Sequence, residues 1–379
     1  MIVLFSNRLN HHQAPLADAL FRLTNGQFRF VETSEPNEQS NKGSRLDFSS
    51  RPYLVKAWYN HHNREITMRL SVDSDIALFG ANSLSYEIIR SRESNGLSFE
   101  VSERWLKKGL LNAFSPRFIK SQWYYHTLFK KKPVYKLCAG AFCASDHYLF
   151  HSFIDRCYKW GYFIEGANDS HLLLNEGNDE SIRIMWCARF LALKHPELPV
   201  LVAKRFKEQR INFILDMFGT GPEFSRINKM ILDYGLTDCV FLKGAQDNTT
   251  IIDEMKRHDV FLFTSDRKEG WGAVVNEAMS CGCAVVSSDK VGCAPFLINH
   301  HQTGCLFKDQ DVMSLHKEVL WLIESKDRLR SIRQNSLQWY YSYWTPDHAA
   351  ASLLQLIDDL NKKGESSIEL GPCSKALPY

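Results

Sequence analysis

Short apolar runs alternate with longer amphipathic stretches between residues 181 and 288. The runs have the length of buried strands, and glycines close several of them. Strands that alternate with helices of this length indicate a parallel sheet covered by helices on both faces. The predicted strands are 181–188, 212–218, 240–242, 260–263 and 284–287, and the predicted helices are 199–209, 223–234, 249–257 and 273–281.

The first half of the chain shows the same alternation less regularly. A polar stretch at 34–50, rich in Ser, Asn and Glu, is predicted to be a loop. The whole chain is therefore predicted to be of the α/β class. The candidate strands of this half are 1–6, 27–32, 66–71, 75–80, 97–102 and 135–138.

A chain of 379 residues exceeds the length that one hydrophobic core usually supports, so two domains are expected. The polar stretch at 165–181 is the predicted linker. The predicted organisation is an N-terminal Rossmann-like domain (1–164), the linker (165–181), a C-terminal Rossmann-like domain (182–340), a helix packing back on the first domain (341–360) and a frayed polar tail (361–379).

Composition excludes several classes of protein. A formal net charge of +3 is nearly neutral for this length, which argues against a dedicated nucleic-acid binder. Ten cysteines include no Cys-x-x-Cys pair, so neither a zinc site nor a redox motif is expected, and reduced cysteines are typical of cytoplasm. The first residues predict a strand rather than a signal peptide, and no apolar run is long enough to span a bilayer. We therefore expect a cytoplasmic protein.

The segment after the predicted strand at 260–263 combines several ligand-binding features. Loops at the carboxyl ends of parallel strands are where ligands bind in such sheets. Gly270 and Gly272 allow a ligand to approach the backbone, and amides near 273–275 at the predicted helix start suit a diphosphate. Glu269 and Glu277 supply carboxylates that accept hydrogen bonds from sugar and ribose hydroxyls.

Residues 269–286 follow the pattern E-G-[WF]-G-x4-E-A-M-x2-G-x2-V-V. This resembles the Glu-x7-Glu signature of the family-four retaining glycosyltransferases. The resemblance implies the GT-B fold, in which two Rossmann-like domains with parallel sheets face a central cleft. It also implies that Trp271, Ala273 and Val274 contribute to donor binding.

A second matching region is Arg189-x4-Lys194, directly after the predicted strand at 181–188. In the family, the corresponding cations hold the donor diphosphate, where fixed positive charge stabilises the departing nucleoside diphosphate. The chain departs from the family in having Ala188 where glycine usually precedes the arginine, and His195 where glycine usually follows the lysine. Two glycine segments, at Gly219 and at Gly244, resemble the family's donor-binding turns.

The resemblance implies that the N-terminal domain binds the acceptor, and His11, His12 and Gln13 follow its first strand. We expect them at the acceptor site, with a plain polar turn as the alternative. Adjacent histidines on an extended segment point to opposite sides, so no two-histidine metal site is expected. By the same argument 61–62 and 300–301 are predicted to be exposed loop pairs.

Glu103 and Arg104 lie at the end of the predicted strand at 97–102, where many relatives carry a histidine that faces the reacting sugar. We expect Glu103 to orient the acceptor hydroxyl or the sugar. Arg104 is predicted to pair with it and to contact the acceptor. An exposed Glu–Arg pair is the alternative.

The stretch 105–132 is both basic and aromatic. Such a stretch can lie on an anionic bilayer, which would bring the enzyme to a lipid-linked acceptor. A solvated helix face over a core stripe is the alternative. Its members are Lys107, Lys108, Arg117, Lys120, Lys130, Lys131 and Lys132, with Trp105, Phe114, Phe118, Trp123, Tyr124, Tyr125 and Phe129 between them.

The resemblance implies a retaining, metal-independent hexosyltransferase, and the basic aromatic stretch predicts that it acts at the inner face of the bacterial inner membrane. Arg189, Lys194, Glu269 and Glu103 are its predicted catalytic residues. A UDP- or GDP-linked sugar is the co-substrate, no further cofactor is expected, and the acceptor is a lipid-linked glycan of capsule or O-antigen (lipopolysaccharide) assembly. The alternatives are a sugar-nucleotide epimerase of the same fold and a non-catalytic sugar-nucleotide-binding protein. A dehydrogenase is disfavoured because the loop at 7–14 contains no glycine.

Overall fold

The structure is a computed structural model that describes residues 1–35, 47–167 and 181–379. It contains two compact units. One unit comprises Met1–Ile164 and Tyr343–Tyr379, and the other comprises Glu165–Ser342. Residues 36–46 of the predicted polar loop and residues 168–180 of the predicted linker lie outside the described residues.

The first unit contains a seven-stranded parallel sheet in the order β3-β2-β1-β4-β5-β6-β7. Its strands are β1 (Ile2–Ser6), β2 (Phe28–Glu32), β3 (Leu54–Lys56), β4 (Ile76–Phe79), β5 (Ser98–Ser102), β6 (Val134–Ala139) and β7 (Cys157–Trp160). Its helices are α1 (Ala14–Leu23), α2 (His61–Asp73), α3 (Leu84–Glu93), α4 (Pro116–Thr127), α5 (Phe142–Leu149) and α13 (Pro346–Lys362).

The central strands of this sheet are buried on both faces because crossover helices cover them. Every residue of β1 and of β4 is buried, and the two strands pair in the register Ile2↔Ile76. The strand order reverses between β1 and β4. In open parallel sheets such a reversal leaves a crevice beyond the carboxyl ends of the two strands.

The second unit contains a six-stranded parallel sheet in the order β10-β9-β8-β11-β12-β13. Its order reverses between β8 and β11, so the loops after these two strands meet at one edge. Its strands are β8 (Ile182–Cys187), β9 (Phe213–Phe218), β10 (Val240–Gly244), β11 (Val260–Phe263), β12 (Ala284–Ser288) and β13 (Cys305–Phe307). Its helices are α6 (Glu197–Glu208), α7 (Phe224–Asp233), α8 (Asn248–Lys256), α9 (Val274–Ser280), α10 (Ala294–Leu297), α11 (Val312–Ile323) and α12 (Lys326–Tyr343).

The two parallel sheets with flanking helices confirm the predicted α/β class. One strand prediction was wrong, because residues 66–71 belong to α2. Asn60 begins this helix by accepting a hydrogen bond from the Asn63 amide (2.7 Å), and Thr67 and Ser71 are its buried residues. The pair 61–62 is exposed, but it occupies the first turn of α2 rather than a loop.

The end of the chain is ordered, so the prediction of a frayed tail was wrong. Cys373 is fully buried, and its amide donates to the Lys159 carbonyl in β7 (2.7 Å). The Ala376 amide donates to the Cys157 carbonyl (2.9 Å). These bonds use backbone carbonyls on the free edge of β7, so the tail packs on the sheet of the first unit. Helix α13 packs against α1 in the same unit.

Within the described residues, no helix has the length and apolar character needed to cross a bilayer.

Candidate functional site

The loops that follow β8 and β11 are tied together by hydrogen bonds at the switch point of the second sheet. Trp186 donates from Nε1 to Thr264 Oγ1 (2.9 Å), and Thr264 donates from Oγ1 to the Lys194 carbonyl (2.7 Å). The Asp266 amide donates to the Leu193 carbonyl (2.9 Å). The two predicted donor-binding segments therefore form one structural unit, although 75 residues separate Lys194 from Glu269.

Lys194 and Glu269 form an ion pair in which both side chains are largely buried, at 17% and 19% exposure. The Lys194 ammonium also lies 5.5 Å from the centroid of the Phe263 ring. Arg189 lies on the same loop as Lys194, is exposed, and forms no ion pair with any other described residue. One predicted cation thus has a carboxylate partner, and the other is open to an anion.

Glu277 lies in α9 with only 9% of its surface exposed. Burial raises its pKa to about 7. Burial, and then the Glu277 carboxylate, also raise the pKa of Cys187 to about 12, and the Lys194 ammonium opposes this rise.

Backbone geometry explains two of the predicted glycines. Gly272 has φ +99°, and a Cβ there would lie 2.6 Å from the Phe263 ring. Gly219 has φ +122°, and a Cβ there would lie 2.0 Å from the Ala188 carbonyl oxygen. The Gly219 amide donates to the Gly244 carbonyl (2.7 Å), so these two predicted donor residues are adjacent. Side chains at Gly219 or Gly272 would displace the loops that carry the charged groups.

Two details of the predicted diphosphate site differ from expectation. The Val275 amide is not available, because it donates to the Gly272 carbonyl (3.0 Å). Trp271 is fully buried and donates from Nε1 to Asn276 Oδ1 (2.9 Å), so its side chain supports the loop instead of lining a surface. Ala273 and Val274 are half-buried at the helix start and remain predicted contacts.

His195 stands where relatives commonly have glycine, and it adopts the left-handed backbone conformation, φ +46°, that glycine favours. Its Nδ1 lies 3.0 Å from Glu197 and its Nε2 lies 3.5 Å from Asp266. The hydrogen bond with Glu197 is the main cause that raises the pKa of His195. The substitution therefore preserves the backbone path and adds a carboxylate-held ring beside Lys194.

The first unit contains a cavity of about 800 Å³ beyond the carboxyl ends of β1, β4 and β5. Four of the predicted residues line it: His12, Gln13, Glu103 and Arg104. His11 is not among its lining residues. Further polar and aromatic lining residues were not predicted from the sequence, among them Asn7, Asn10, Asn82, Glu87, Glu100 and Tyr162.

The predicted ion pair between Glu103 and Arg104 does not form. Glu103 pairs with Lys107 and accepts a hydrogen bond from the Tyr162 hydroxyl (2.7 Å). Arg104 instead pairs with the buried Asp146 (3.0 Å). Neighbouring residues at the end of a strand point in opposite directions, so each finds a different partner.

The argument that adjacent histidines diverge was wrong for two of the three pairs. The rings of His11 and His12 lie 3.8 Å apart, and those of His300 and His301 lie 3.7 Å apart. Neither segment is extended. Burial, and then the neighbouring His11, lower the pKa of His12 to about 4, so its ring is uncharged at neutral pH.

Residues 175–339 match the family model of the glycosyl transferases group 1. This match covers 165 of the 379 residues, so the similarity is to this part of the chain. The matched region contains both predicted donor-binding segments described above.

Three bacterial proteins are among the curated relatives of the chain. N-acetyl-alpha-D-glucosaminyl L-malate synthase of Bacillus anthracis is 29% identical over 33% of the chain and 32% of its own length. Poly(glycerol-phosphate) alpha-glucosyltransferase of Bacillus subtilis is 28% identical over 45% of the chain and 25% of its own length. The putative colanic acid biosynthesis glycosyltransferase WcaL of Escherichia coli is 28% identical over 36% of the chain and 35% of its own length. The matches thus span between a quarter and about a third of each relative.

Solved structures resemble the whole chain. A glycosyltransferase from Rickettsia africae has a TM-score of 0.67 at 14% identity, covering 96% of this chain and 98% of its own. WaaG, a glycosyltransferase of lipopolysaccharide biosynthesis, has a TM-score of 0.59 at 12% identity, covering 92% and 98%. HepE of Anabaena, bound to UDP and glucose, has a TM-score of 0.64 at 14% identity, covering 93% and 99%. At these identities the likeness shows the fold, and it confirms the predicted GT-B class.

Burial of Glu277 makes a prediction about stability and pH. The ordinary pKa of a glutamate is 4.5, and the pKa of Glu277 in the folded second unit is about 7. Between these values the folded state binds more protons than the unfolded chain, so stability falls as pH rises from about 4.5 to above 7, by roughly 3 kcal/mol. Glu277→Gln lacks this ionisation. Its free energy of unfolding should therefore rise relative to that of the wild type between pH 5 and pH 8, as measured by urea denaturation.

Glu208→Gln is the matched control for this measurement, because Glu208 is 61% exposed in the same unit. Its difference from the wild type should stay constant with pH. A constant difference for Glu277→Gln would show that the carboxyl is ordinarily solvated.

Proposed function

We propose that the protein is a retaining glycosyltransferase that moves a sugar from a nucleoside diphosphate sugar to a bacterial surface glycan. The observation that carries this proposal is the cluster of Lys194, Glu269 and Glu277 beside the exposed Arg189 at the switch point of the second sheet. Two cations suit a diphosphate, and two carboxylates suit the hydroxyls of a sugar and a ribose.

In the proposed reaction the bond between the anomeric carbon and the donor phosphate oxygen breaks, and the acceptor hydroxyl forms the new bond on the same face. The departing diphosphate takes the acceptor's proton. Arg189 and Lys194 stabilise the negative charge that develops on the leaving group. Lys194 exchanges its contact with Glu269 for the phosphate, and this releases Glu269 to accept hydrogen bonds from sugar hydroxyls. Glu277 accepts from the ribose diol. The proposal needs no metal ion or further cofactor, because the two cations supply the positive charge.

The donor in this proposal carries uridine or guanosine diphosphate. HepE, which shares the fold, binds UDP and glucose, and this supports a uridine nucleotide. The names of the relatives WcaL and poly(glycerol-phosphate) alpha-glucosyltransferase support an acceptor in polysaccharide assembly. We propose a lipid-linked glycan of capsule or O-antigen synthesis, met at the inner face of the inner membrane.

A surface of the first unit supports membrane contact, and we call it the α4 patch. It comprises the 3₁₀ helix Gly109–Phe114 and the outer face of α4. Its apolar side chains are unusually exposed: Leu110 (65%), Leu111 (79%), Phe114 (77%), Ile119 (54%) and Trp123 (58%). Phe118 and Tyr125 of α4 are buried, so the other face of the helix packs on the core. This core stripe was part of the alternative prediction, a solvated helix face over a core stripe.

Exposed basic residues lie within or next to the α4 patch: Lys108, Arg117, Lys120, Lys130 and Lys131. Lys107 and Lys132, which belonged to the predicted basic set, instead bond to Glu103 and to Asn95. The apolar side chains can insert at the boundary of the acyl chains, and the neighbouring basic side chains can bind phosphate headgroups. This combination fits an anionic bilayer better than a neutral one.

The double variant Leu111→Ser/Phe114→Ser is expected to reduce binding to vesicles containing phosphatidylglycerol by at least tenfold. Inserting a leucine or phenylalanine side chain contributes about 1.5–3 kcal/mol, and serine removes this contribution. Vesicle co-sedimentation at low and high salt measures the effect. Leu232→Ser, at a leucine 58% exposed in the second unit, is the control and should bind as the wild type does. Equal binding of both variants, or no wild-type preference for anionic vesicles, would contradict membrane docking by this patch.

The donor is tested by thermal shift with UDP-glucose, UDP-N-acetylglucosamine, UDP-galactose and GDP-mannose. The best stabiliser is then incubated with the protein and a membrane lipid extract, and the glycolipid products are analysed by mass spectrometry. Transfer of one sugar to a lipid-linked species supports the proposal. An isomerised or free nucleotide product without an acceptor would indicate an epimerase. Binding without any product would indicate a sugar-nucleotide-binding protein.

A further inference from the structure

The cavity of the first unit has a size and a position that suit one or two sugar rings. Its volume is about 800 Å³, within the range of small-ligand sites, and it lies at the switch point between β1 and β4. Its walls are rich in hydroxyl and amide groups. Tyr162 and Trp105 supply aromatic faces on which the C–H surface of a sugar can pack.

Glu87 is an unusual member of this wall. It lies in the first turn of α3, is only 2% exposed, and lines the cavity. Its Oε1 has no hydrogen-bond partner among the described residues. A buried polar atom without a partner destabilises the folded state. The deficit is removed when a ligand group supplies the missing hydrogen bond.

Burial, and then the charge of Glu100, raise the pKa of Glu87 well above its ordinary value, while the Lys136 ammonium opposes the rise. Burial therefore favours the protonated form of this carboxyl group, which offers one hydroxyl donor together with acceptor oxygen. A sugar hydroxyl, which both donates and accepts, matches this combination.

The other charged groups at the cavity are mostly neutralised by partners. Lys136, which is fully buried, donates to Glu100 Oε1 (2.7 Å), while Glu103 pairs with Lys107 and Arg104 pairs with Asp146. The remaining cation, Arg117, lies 5.6 Å from the centroid of the Trp105 ring and is exposed to solvent. His12 is uncharged at neutral pH. A wall of this kind offers little to a phosphate or carboxylate and much to an uncharged, polyhydroxylated ligand.

We propose that Glu87 is a specificity-determining residue of this cavity, where its carboxyl group hydrogen-bonds a hydroxyl of an uncharged sugar unit of the acceptor. This inference rests on the proposed function, because it assigns the acceptor to the first unit. It goes further by naming the contacting group and by excluding an anionic sugar at this position.

The proposal includes a pH dependence. As pH rises, ionisation of Glu87 removes its hydroxyl donor and places a negative charge near Glu100. The groups that face it are Glu100 on β5 and Lys136 on β6, with Glu103 and His12 on the surrounding wall. His12, whose pKa is about 4, stays uncharged from neutral pH upwards and does not contribute to this loss of sugar binding.

The experiment uses the full chain and small probes: methyl glycosides of glucose, galactose, mannose and N-acetylglucosamine, with methyl glucuronide as the charged counterpart. Saturation-transfer NMR titrations give the affinities of the wild type, Glu87→Leu and Glu87→Gln. Glu93→Gln is the matched control, since Glu93 is exposed on the same helix.

We expect the wild type to bind at least one neutral glycoside, and to bind the glucuronide at least tenfold more weakly. Glu87→Leu should weaken neutral binding at least tenfold. Glu87→Gln, which keeps a donor and an acceptor, should stay within about threefold of the wild type at pH 7 and should lose the decline of affinity at alkaline pH. Glu93→Gln should match the wild type throughout.

Equal glycoside affinity in the wild type and Glu87→Leu would overturn the inference, and so would a preference for the glucuronide or no binding of any neutral probe. The Gln variant guards against misfolding of the Leu variant. Thermal shift with nucleotide sugars on the same samples separates the two proposals. If the wild type binds no nucleotide sugar, the proposed function is contradicted. If it binds one and Glu87→Leu binds glycosides as the wild type does, only the role of Glu87 is contradicted.

Discussion

Lys194→Met is expected to reduce the rate of sugar transfer by roughly two to three orders of magnitude. Removing one fixed group that stabilises developing charge in an enclosed site has an effect of about this size. Methionine keeps most of the side-chain volume and its packing near Phe263, 5.5 Å from the present ammonium. The loss should therefore come from the missing charge, and it is measured as kcat with the donor that gives the largest thermal shift.

Lys194→Met also leaves Glu269 without its ion-pair partner, so the same loss could arise indirectly. The double variant Lys194→Met/Glu269→Gln separates the two causes. If Lys194 acts on the leaving group, the double variant is at least as slow as the single one. Recovery to within threefold of the wild type would mean that Lys194 serves only to neutralise Glu269. Lys204→Met, at a lysine 45% exposed in the same unit, is the control and should retain wild-type rates.

Gly292→Ala is expected to destabilise the second unit by at least about 3 kcal/mol, the upper end of the range for overpacking. A Cβ at this position would lie 1.7 Å from the Gly270 carbonyl oxygen, which is backbone and cannot rotate away. The segment between Glu269 and Trp271 must shift to relieve the clash. We therefore expect a fall of roughly 5–10 °C in the melting temperature, together with a loss of donor binding.

Gly235→Ala is the matched control for this substitution. Gly235 has φ +63° and no atom within 4 Å of its added Cβ, so alanine there introduces only backbone strain of about 1–2 kcal/mol. Donor binding should remain at the wild-type level. If Gly292→Ala were no less stable than Gly235→Ala, the close approach of residue 292 to Gly270 would not exist in solution.

Five of the six strands of the second unit were predictable, because each of the five is an apolar run bounded by glycine or polar residues. The prediction of 260–263 matches β11 to the residue, and that of 284–287 differs from β12 by one. The stretch 66–71 was predicted to be a strand because its polar and apolar residues alternate. It is helical, and the hydrogen bond that Asn60 accepts stabilises the start of this helix. β3, β7 and β13 were missed because runs of three or four residues carry little periodic signal.

The candidate donor site was predictable in its members and not in its contacts. The pattern around Glu269 and the spacing of Arg189 and Lys194 are visible in the chain itself. The ion pair of Lys194 with Glu269, and the buried side chain of Trp271, depend on how two distant loops pack. Glu87 belongs to no motif. The sequence offered only its position in the helix that follows β4. Its burial results from the packing of α3 on the sheet.

The order of residues along the chain was therefore enough to establish the parallel α/β class and the identity of the charged groups after β8 and β11. Periodicity and short motifs are local properties, and they survive without knowledge of the fold. The partners of Glu103 and Arg104, and the burial of Glu87, were decided by tertiary structure alone. A charged side chain takes its partner and its pKa from whatever surrounds it, and those neighbours come from strands and helices far apart in the chain.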